Sequence, residues 1–129
     1  MTAEAQARRT RVMIVEDHAD FRELMQVLLG GQPDIELVAQ AGSLAEARDH
    51  AAMFEFNVVV LDLGLPDGHG EDLIADFRRS NPDVGVLILS ASLDPVGIEK
   101  ATRLGADVIL DKLAPLDEVL STVRRLGST

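Results

Sequence analysis

Apolar residues gather along the chain in short runs, Val12 to Val15, Ile35 to Ala39, Val58 to Leu61, Val84 to Leu89 and Val108 to Leu110. Each is the length of a strand and has little polar interruption, the pattern of strands covered on both faces. Between the runs the apolar spacing turns helical. The first such segment sets Phe21, Leu24, Met25, Leu28 and Leu29 on one face before Gly30-Gly31 stops it. The second opens on Ser43-Leu44-Ala45-Glu46, where Ser43 and Glu46 form a capping box that satisfies backbone donors at a helix start. A third helix is predicted from about Glu71 to Arg79, closed by Ser80-Asn81-Pro82. A fourth follows Asp94-Pro95, a cap residue with proline at the first helical position, and a fifth runs from about Leu116 to Leu126.

Regular alternation of strand and helix predicts an α/β fold, a (βα)5 doubly wound, five-stranded parallel sheet with helices on both faces. No repeat or linker divides it, so the reading is one domain over 11–127 behind a disordered polar leader, 1–10, that carries Arg8 and Arg9.

Composition narrows the function. A chain of 129 residues with 47% hydrophobic side chains can bury a sizeable core. Without cysteine it has no disulfide or thiolate site, which fits the cytoplasm. Lys and Arg number 12 against 22 Asp and Glu, a formal charge of -10, the wrong sign for gripping nucleic acid phosphates. No apolar run approaches the roughly 20 residues of a membrane span.

In sheets of this kind the chemistry collects at the carboxyl ends of the strands. Strand 1 ends in Glu16-Asp17, strand 3 in Asp62 and strand 4 in Ser90, and strand 5 is followed by Lys112. Three carboxylates drawn together repel unless a cation joins them, and oxygen donors of this kind suit Mg²⁺. With a lysine and a hydroxyl beside them, and no glycine-rich loop for a nucleotide, the set is equipped to move a phosphoryl group onto and off Asp62.

Val12-Met13-Ile14-Val15-Glu16-Asp17-His18, Leu61-Asp62-Leu63-Gly64-Leu65-Pro66-Asp67-Gly68, Leu87-Ile88-Leu89-Ser90-Ala91 and Gly105-Ala106-Asp107-Val108-Ile109-Leu110-Asp111-Lys112 come in that order. In these stretches the chain resembles the receiver domain of bacterial two-component response regulators, with the flavodoxin-like, CheY-like fold. The resemblance covers Arg11 to Leu126. Asp17-His18-Ala19-Asp20-Phe21-Arg22 and Ser90 to Pro95 look most like receivers coupled to helix-turn-helix output domains of the NarL/FixJ type.

The resemblance implies that Asp62 is the phosphoacceptor for a sensor histidine kinase or histidine phosphotransfer protein. It also implies that Asp17, Asp62 and the Gly64 carbonyl ligate Mg²⁺, with Glu16 acting through a water. Ser90 and Lys112 would meet the phosphoryl group and carry the signal to the face from the fourth helix to the fifth strand. The expected output is a DNA-binding domain absent from this chain, or a separate partner, with a homodimer possible on phosphorylation. An enzyme proper is not expected beyond self-dephosphorylation.

One departure bears on the switch. Ile109 stands where receivers carry Tyr or Phe, so it offers packing without a hydroxyl that could change partners. Val108 and Leu113 also depart from the usual residues. Two alternatives stay open: a pseudo-receiver that binds partners without phosphorylation, and a phosphatase of the haloacid dehalogenase type, which would want Asp-x-Asp on the first strand. His18, His50 and His69 read as surface residues, and Phe21, Phe54, Phe56 and Phe77 as core or core edge.

Overall fold

A computed structural model describes residues 9–91 and 93–128. Most of the expected leader lies outside those residues, but its last two belong to the fold. Thr10 opens β1 (Thr10–Val15) opposite Ile35, and the Arg9 guanidinium donates to the Ile35 carbonyl at 3.0 Å. The apolar run marked only the part of the strand that is covered on both faces.

The chain then alternates α1 (Ala19–Gly30), β2 (Ile35–Ala41), α2 (Leu44–Met53), β3 (Val58–Leu61), α3 (Asp72–Ser80), β4 (Gly85–Ser90), α4 (Pro95–Leu104), β5 (Val108–Asp111) and α5 (Leu116–Gly127). The strands lie parallel in the order β2-β1-β3-β4-β5. This is the predicted α/β architecture.

Side chains alternate across the sheet, which divides the core in two. Val12, Ile14, Val58, Val60, Leu87 and Leu89 meet Met25 and Leu29 of α1 and Val119 and Val123 of α5. Met13, Val15, Val59, Leu61, Val86 and Ile88 face the other way, onto α2, α3 and α4. Leu24, expected on the inner face of α1, is 43% exposed, because Phe21, Met25, Leu28 and Leu29 already fill the stripe. Phe54 also turns outward, at 37% exposure, whereas Phe56 meets Phe77 edge to face at 5.5 Å.

The predicted caps set several helix ends. Ser43 Oγ accepts from the Glu46 N–H at 3.1 Å, while the Glu46 carboxylate reaches back to the Gly42 N–H at 2.8 Å. Asp94 accepts from the Gly97 N–H at 2.7 Å, and α4 ends on Gly105 in the left-handed region, φ 111°, which a side chain would disfavour.

At the amino ends of the strands Arg78 ties three segments together. Its guanidinium donates to the carbonyls of Pro82 and Val84 before β4, to the Gly105 carbonyl after α4 and to Asp107 before β5. The opposite edge is left for the polar strand ends.

Candidate functional site at the strand ends

Pairing brings Val15, Leu61, Ile88 and Ile109 into one row across four strands. Glu16 and Asp62 directly follow this row on β1 and β3, while Ser90 and Lys112 come two and three residues beyond it on the side of β4 and β5. Strand order reverses between β1 and β3, the place where such sheets open a crevice. Glu16 and Asp62 leave these two strands side by side, only 2% and 6% exposed. Their backbones are fixed, since the Glu16 N–H donates to Ala41 O at 2.8 Å and the Asp62 N–H to Val15 O at 3.0 Å.

Two residues hold this turn from outside. Arg22, on α1, donates to the Glu16 carbonyl at 2.6 Å. Gly70 lies against the Asp62 peptide so closely that a Cβ there would collide with the Asp62 carbonyl, while its own N–H donates to Leu63 O at 2.7 Å.

Lys112, just beyond β5, reaches back over the sheet edge. Its ammonium lies 2.7 Å from Glu16 Oε1, 3.2 Å from Asp62 Oδ2 and 4.7 Å from the centre of the Phe21 ring. Burial would lower the Lys112 pKa, but the hydrogen bond to Glu16 and the charges of Asp62 and Glu16 outweigh it and hold the ammonium above its ordinary value. Burial pushes the Glu16 carboxyl up; Lys112 and the His18 N–H oppose this, and the nearby Asp62 charge adds to it. One ammonium shared by two carboxylates leaves the pocket short of positive charge.

Asp17 and His18 sharpen that shortage. Asp17 Oδ1 is shielded from solvent and makes no hydrogen bond among the described residues, although His18 Nδ1 stands 3.4 Å from this same oxygen. Donor atoms of Glu16, Asp17, His18 and Asp62 all lie within 4.8 Å of one another. An ion bonded at about 2.1 Å needs its ligands no more than roughly 4.2 Å apart, so small side-chain shifts would close this set around a divalent cation. The donor chemistry and the shielded Asp17 oxygen therefore fit Mg²⁺. His18 was expected at the surface and is 72% exposed, yet its Nδ1 stands 3.3 Å from Glu16 and 3.4 Å from Asp17. The imidazole thus joins the acidic cluster, held near it by the His18 N–H, which donates to Glu16 Oε2 at 3.1 Å.

Ser90 is the last residue of β4 and 3% exposed, and its carbonyl accepts from the Lys112 N–H at 3.1 Å. It lines a groove of about 610 Å³ together with Gly64, Glu71, Asp94 and Lys100. Gly64 belongs to a two-residue antiparallel ladder in which Gly64–Leu65 pairs with Gly68–His69. Ile109 pairs with Ile88 and packs, half-buried, on the core that α4 covers.

Two further anchors had no signature in the sequence. Asp67 accepts from the Leu44 and Ala45 N–H groups at 2.8 and 3.1 Å, capping α2 from the loop after β3. Glu71, 5% exposed at the start of α3, accepts from Lys100 of α4 at 3.4 Å. Both contacts depend on tertiary proximity, which residue spacing does not encode.

A family model described as the response regulator receiver domain matches residues 12–124. The DNA-binding transcriptional activator DevR/DosR of Mycobacterium tuberculosis is 33% identical over 118 residues, covering 92% of this chain and 54% of that protein. The nitrate/nitrite response regulator protein NarP of Escherichia coli is 32% identical over 114 residues, 88% of this chain and 53% of its own. The chain thus spans about half the length of these curated relatives. Among solved structures, the signal receiver domain of the putative response regulator NarL from Mycobacterium tuberculosis superposes with a TM-score of 0.86 at 26% identity, covering 93% of this chain and 97% of that one. A CheY-like receiver domain protein from Methanospirillum hungatei has the same fold at a TM-score of 0.86 and 18% identity, over 93% of this chain and 94% of that one.

Proposed function

The chain belongs to the response regulator receiver domain family, a phosphoacceptor of two-component signalling, and from that premise we propose that Asp62 is the residue phosphorylated. The observation that carries this assignment is the 3.2 Å contact of Lys112 with a carboxylate only 6% exposed, beside Glu16 and Asp17. A buried acid at a strand end, paired with a mobile cation, is poised to exchange one charged partner for another.

The donor is a phosphohistidine on a sensor kinase or phosphotransfer protein. An Asp62 carboxylate oxygen attacks phosphorus, the O–P bond forms as the P–N bond breaks, and the imidazole leaves with the electron pair. Asp17, Asp62 and the Gly64 carbonyl are the residues to hold Mg²⁺, with Glu16 acting through a water. When bound, the metal neutralises charge on the transferring oxygens. Lys112 follows the charge from the Asp62 carboxylate to a phosphoryl oxygen, and the Ser90 hydroxyl donates to another. Hydrolysis of the acyl phosphate returns Asp62 to its starting state, the single self-directed reaction in this scheme.

Ser90 ends the strand that leads into α4, so its movement toward the phosphoryl group draws on the start of that helix. Ile109 fills space behind it by packing alone. The surface from α4 to β5 then controls an output domain, a homodimer or a separate partner in the cytoplasm. The DNA-binding transcriptional activator DevR/DosR, only 54% of which this chain covers, supports a DNA-binding output. Among the described residues, no helix is long and apolar enough to cross a membrane.

Incubation with acetyl phosphate and Mg²⁺ followed by intact-mass measurement tests the assignment. A gain of one phosphoryl group that is lost in Asp62→Asn is expected. No gain would favour a receiver that works without phosphorylation.

A further inference from the structure

Phe21 lies beneath the site as a group whose role the phosphoacceptor scheme leaves unassigned. It stands in the first turn of α1, four residues after Asp17, and its ring packs half-buried on the core shared by α1 and α5. The Lys112 ammonium sits 4.7 Å from the ring centre, with only 12% of the lysine side chain exposed. At that distance the negative face of an aromatic ring attracts a cation, and the attraction grows as water is excluded.

An ammonium has three N–H bonds. Here one carboxylate oxygen of Glu16 and one of Asp62 each lie within reach of it, at 2.7 and 3.2 Å, and the ring offers a third side. The attractions are of two kinds. The carboxylate contacts are directional and compete for the same proton donors, whereas the ring attracts the whole charge and tolerates rotation. A lysine held this way can turn from a carboxylate to an arriving oxygen without losing its third contact or admitting water.

We propose that Phe21 is a positioning residue for Lys112, its ring face keeping the ammonium over Asp62 so that the lysine can pass to the phosphoryl group. An anionic phosphoryl oxygen beside Asp62 is the ligand whose binding this placement favours. The inference rests on Asp62 being the phosphoacceptor.

The test compares Phe21→Leu, which keeps an apolar side chain but removes the ring, with Phe21→Tyr, which restores an aromatic face. Beryllium fluoride serves as the phosphoryl mimic, and its affinity is measured in saturating Mg²⁺, with Mg²⁺ affinity and thermal unfolding recorded alongside. Phe21→Leu is expected to weaken beryllium fluoride binding about fivefold to tenfold, the scale of one partly desolvated cation–ring contact. Mg²⁺ affinity should stay within about twofold, and Phe21→Tyr should return the mimic's affinity to wild type. A general packing defect would instead lower both affinities together, and that result overturns the proposal. So does an affinity for the mimic that Phe21→Leu leaves unchanged.

The failure of the parent reading has a separate signature. If acetyl phosphate leaves the wild-type chain unlabelled, Asp62 is not the acceptor, and the role of Phe21 in phosphoryl binding falls with it. The Lys112 ε-methylene proton resonance then decides the placement itself. A ring-current shift that disappears in Phe21→Leu upholds the contact, and its absence in the wild type removes it.

Discussion

The Lys112 ammonium is bonded to the Glu16 carboxylate at 2.7 Å, closer than its 3.2 Å approach to Asp62. Replacing the lysine by methionine would keep most of its length and leave two buried carboxylates without their cation. Such a break is expected to cost about 3 kcal/mol at neutral pH, the low end for a buried pair because the lysine retains some exposure. The deficit should shrink in acid, where the Glu16 carboxyl, raised by burial, takes up its proton, and in millimolar Mg²⁺ if the proposed site holds it in the folded chain. Urea unfolding of Lys112→Met with and without Mg²⁺ checks this, and an unchanged midpoint would contradict it.

Gly70 is expected to tolerate no side chain. In Gly70→Ala the new methyl group would push on the Asp62 carbonyl, so the acceptor moves while the core behind it stays packed. Labelling by acetyl phosphate should slow more than about tenfold, since errors of an ångström in placement are costly to group transfer. Far-ultraviolet circular dichroism should remain that of the wild type. Normal labelling in this variant would show that the loop can yield.

Asp67 links stability to pH. The Leu44 N–H, followed by that of Ala45, holds its carboxyl below the ordinary value of 3.8. A depressed carboxyl stabilises the fold while ionised, above the pKa of the unfolded chain, and that contribution is lost as pH falls through the folded value. Asp67→Ala should therefore lower the unfolding midpoint at pH 7, with the gap to wild type closing below about pH 4. A gap that widened in acid would reverse the sign of this account.

Arg78 offers a test of stability away from the chemistry. Removing its guanidinium in Arg78→Ala strands the Val84 and Gly105 carbonyls, now bonded at 2.7 and 2.5 Å, and leaves Asp107 with the Val86 N–H but without its cation. A loss of about 2 kcal/mol is expected in denaturant unfolding. Labelling of Asp62 should proceed at the wild-type rate under native conditions.

The switch can be followed by backbone amide resonances. Beryllium fluoride with Mg²⁺ is expected to shift amides along α4 and β5 as well as those beside Asp62, because Ser90 joins β4 to that face and Ile109 packs under it. Shifts confined to the immediate surroundings of Asp62 would mean that Ile109 uncouples the face from the site.

Much of this was legible in the sequence because buried parallel strands leave a simple trace. Val58 to Leu61 is apolar at every position, and the strand has those same bounds. Glu16, Asp62, Ser90 and Lys112 could be grouped because each follows such a run, and parallel strands bring their carboxyl ends to one edge. Thr10 was hidden, since a strand's first turn of pairing needs no apolar side chain. Asp67 read only as part of a turn, because the helix it caps begins 23 residues earlier in the chain. Phe21 looked like core, which it is, but the cation above its ring comes from the far end of the sequence.

The loop that follows Asp62 is moored on both sides, by Asp67 to α2 and by Glu71 to α4. A tug at the acceptor is therefore shared between two helices that do not follow one another in the chain. If Asp62 accepts the phosphoryl group as proposed, strain there would reach both α2 and α4 through these two contacts.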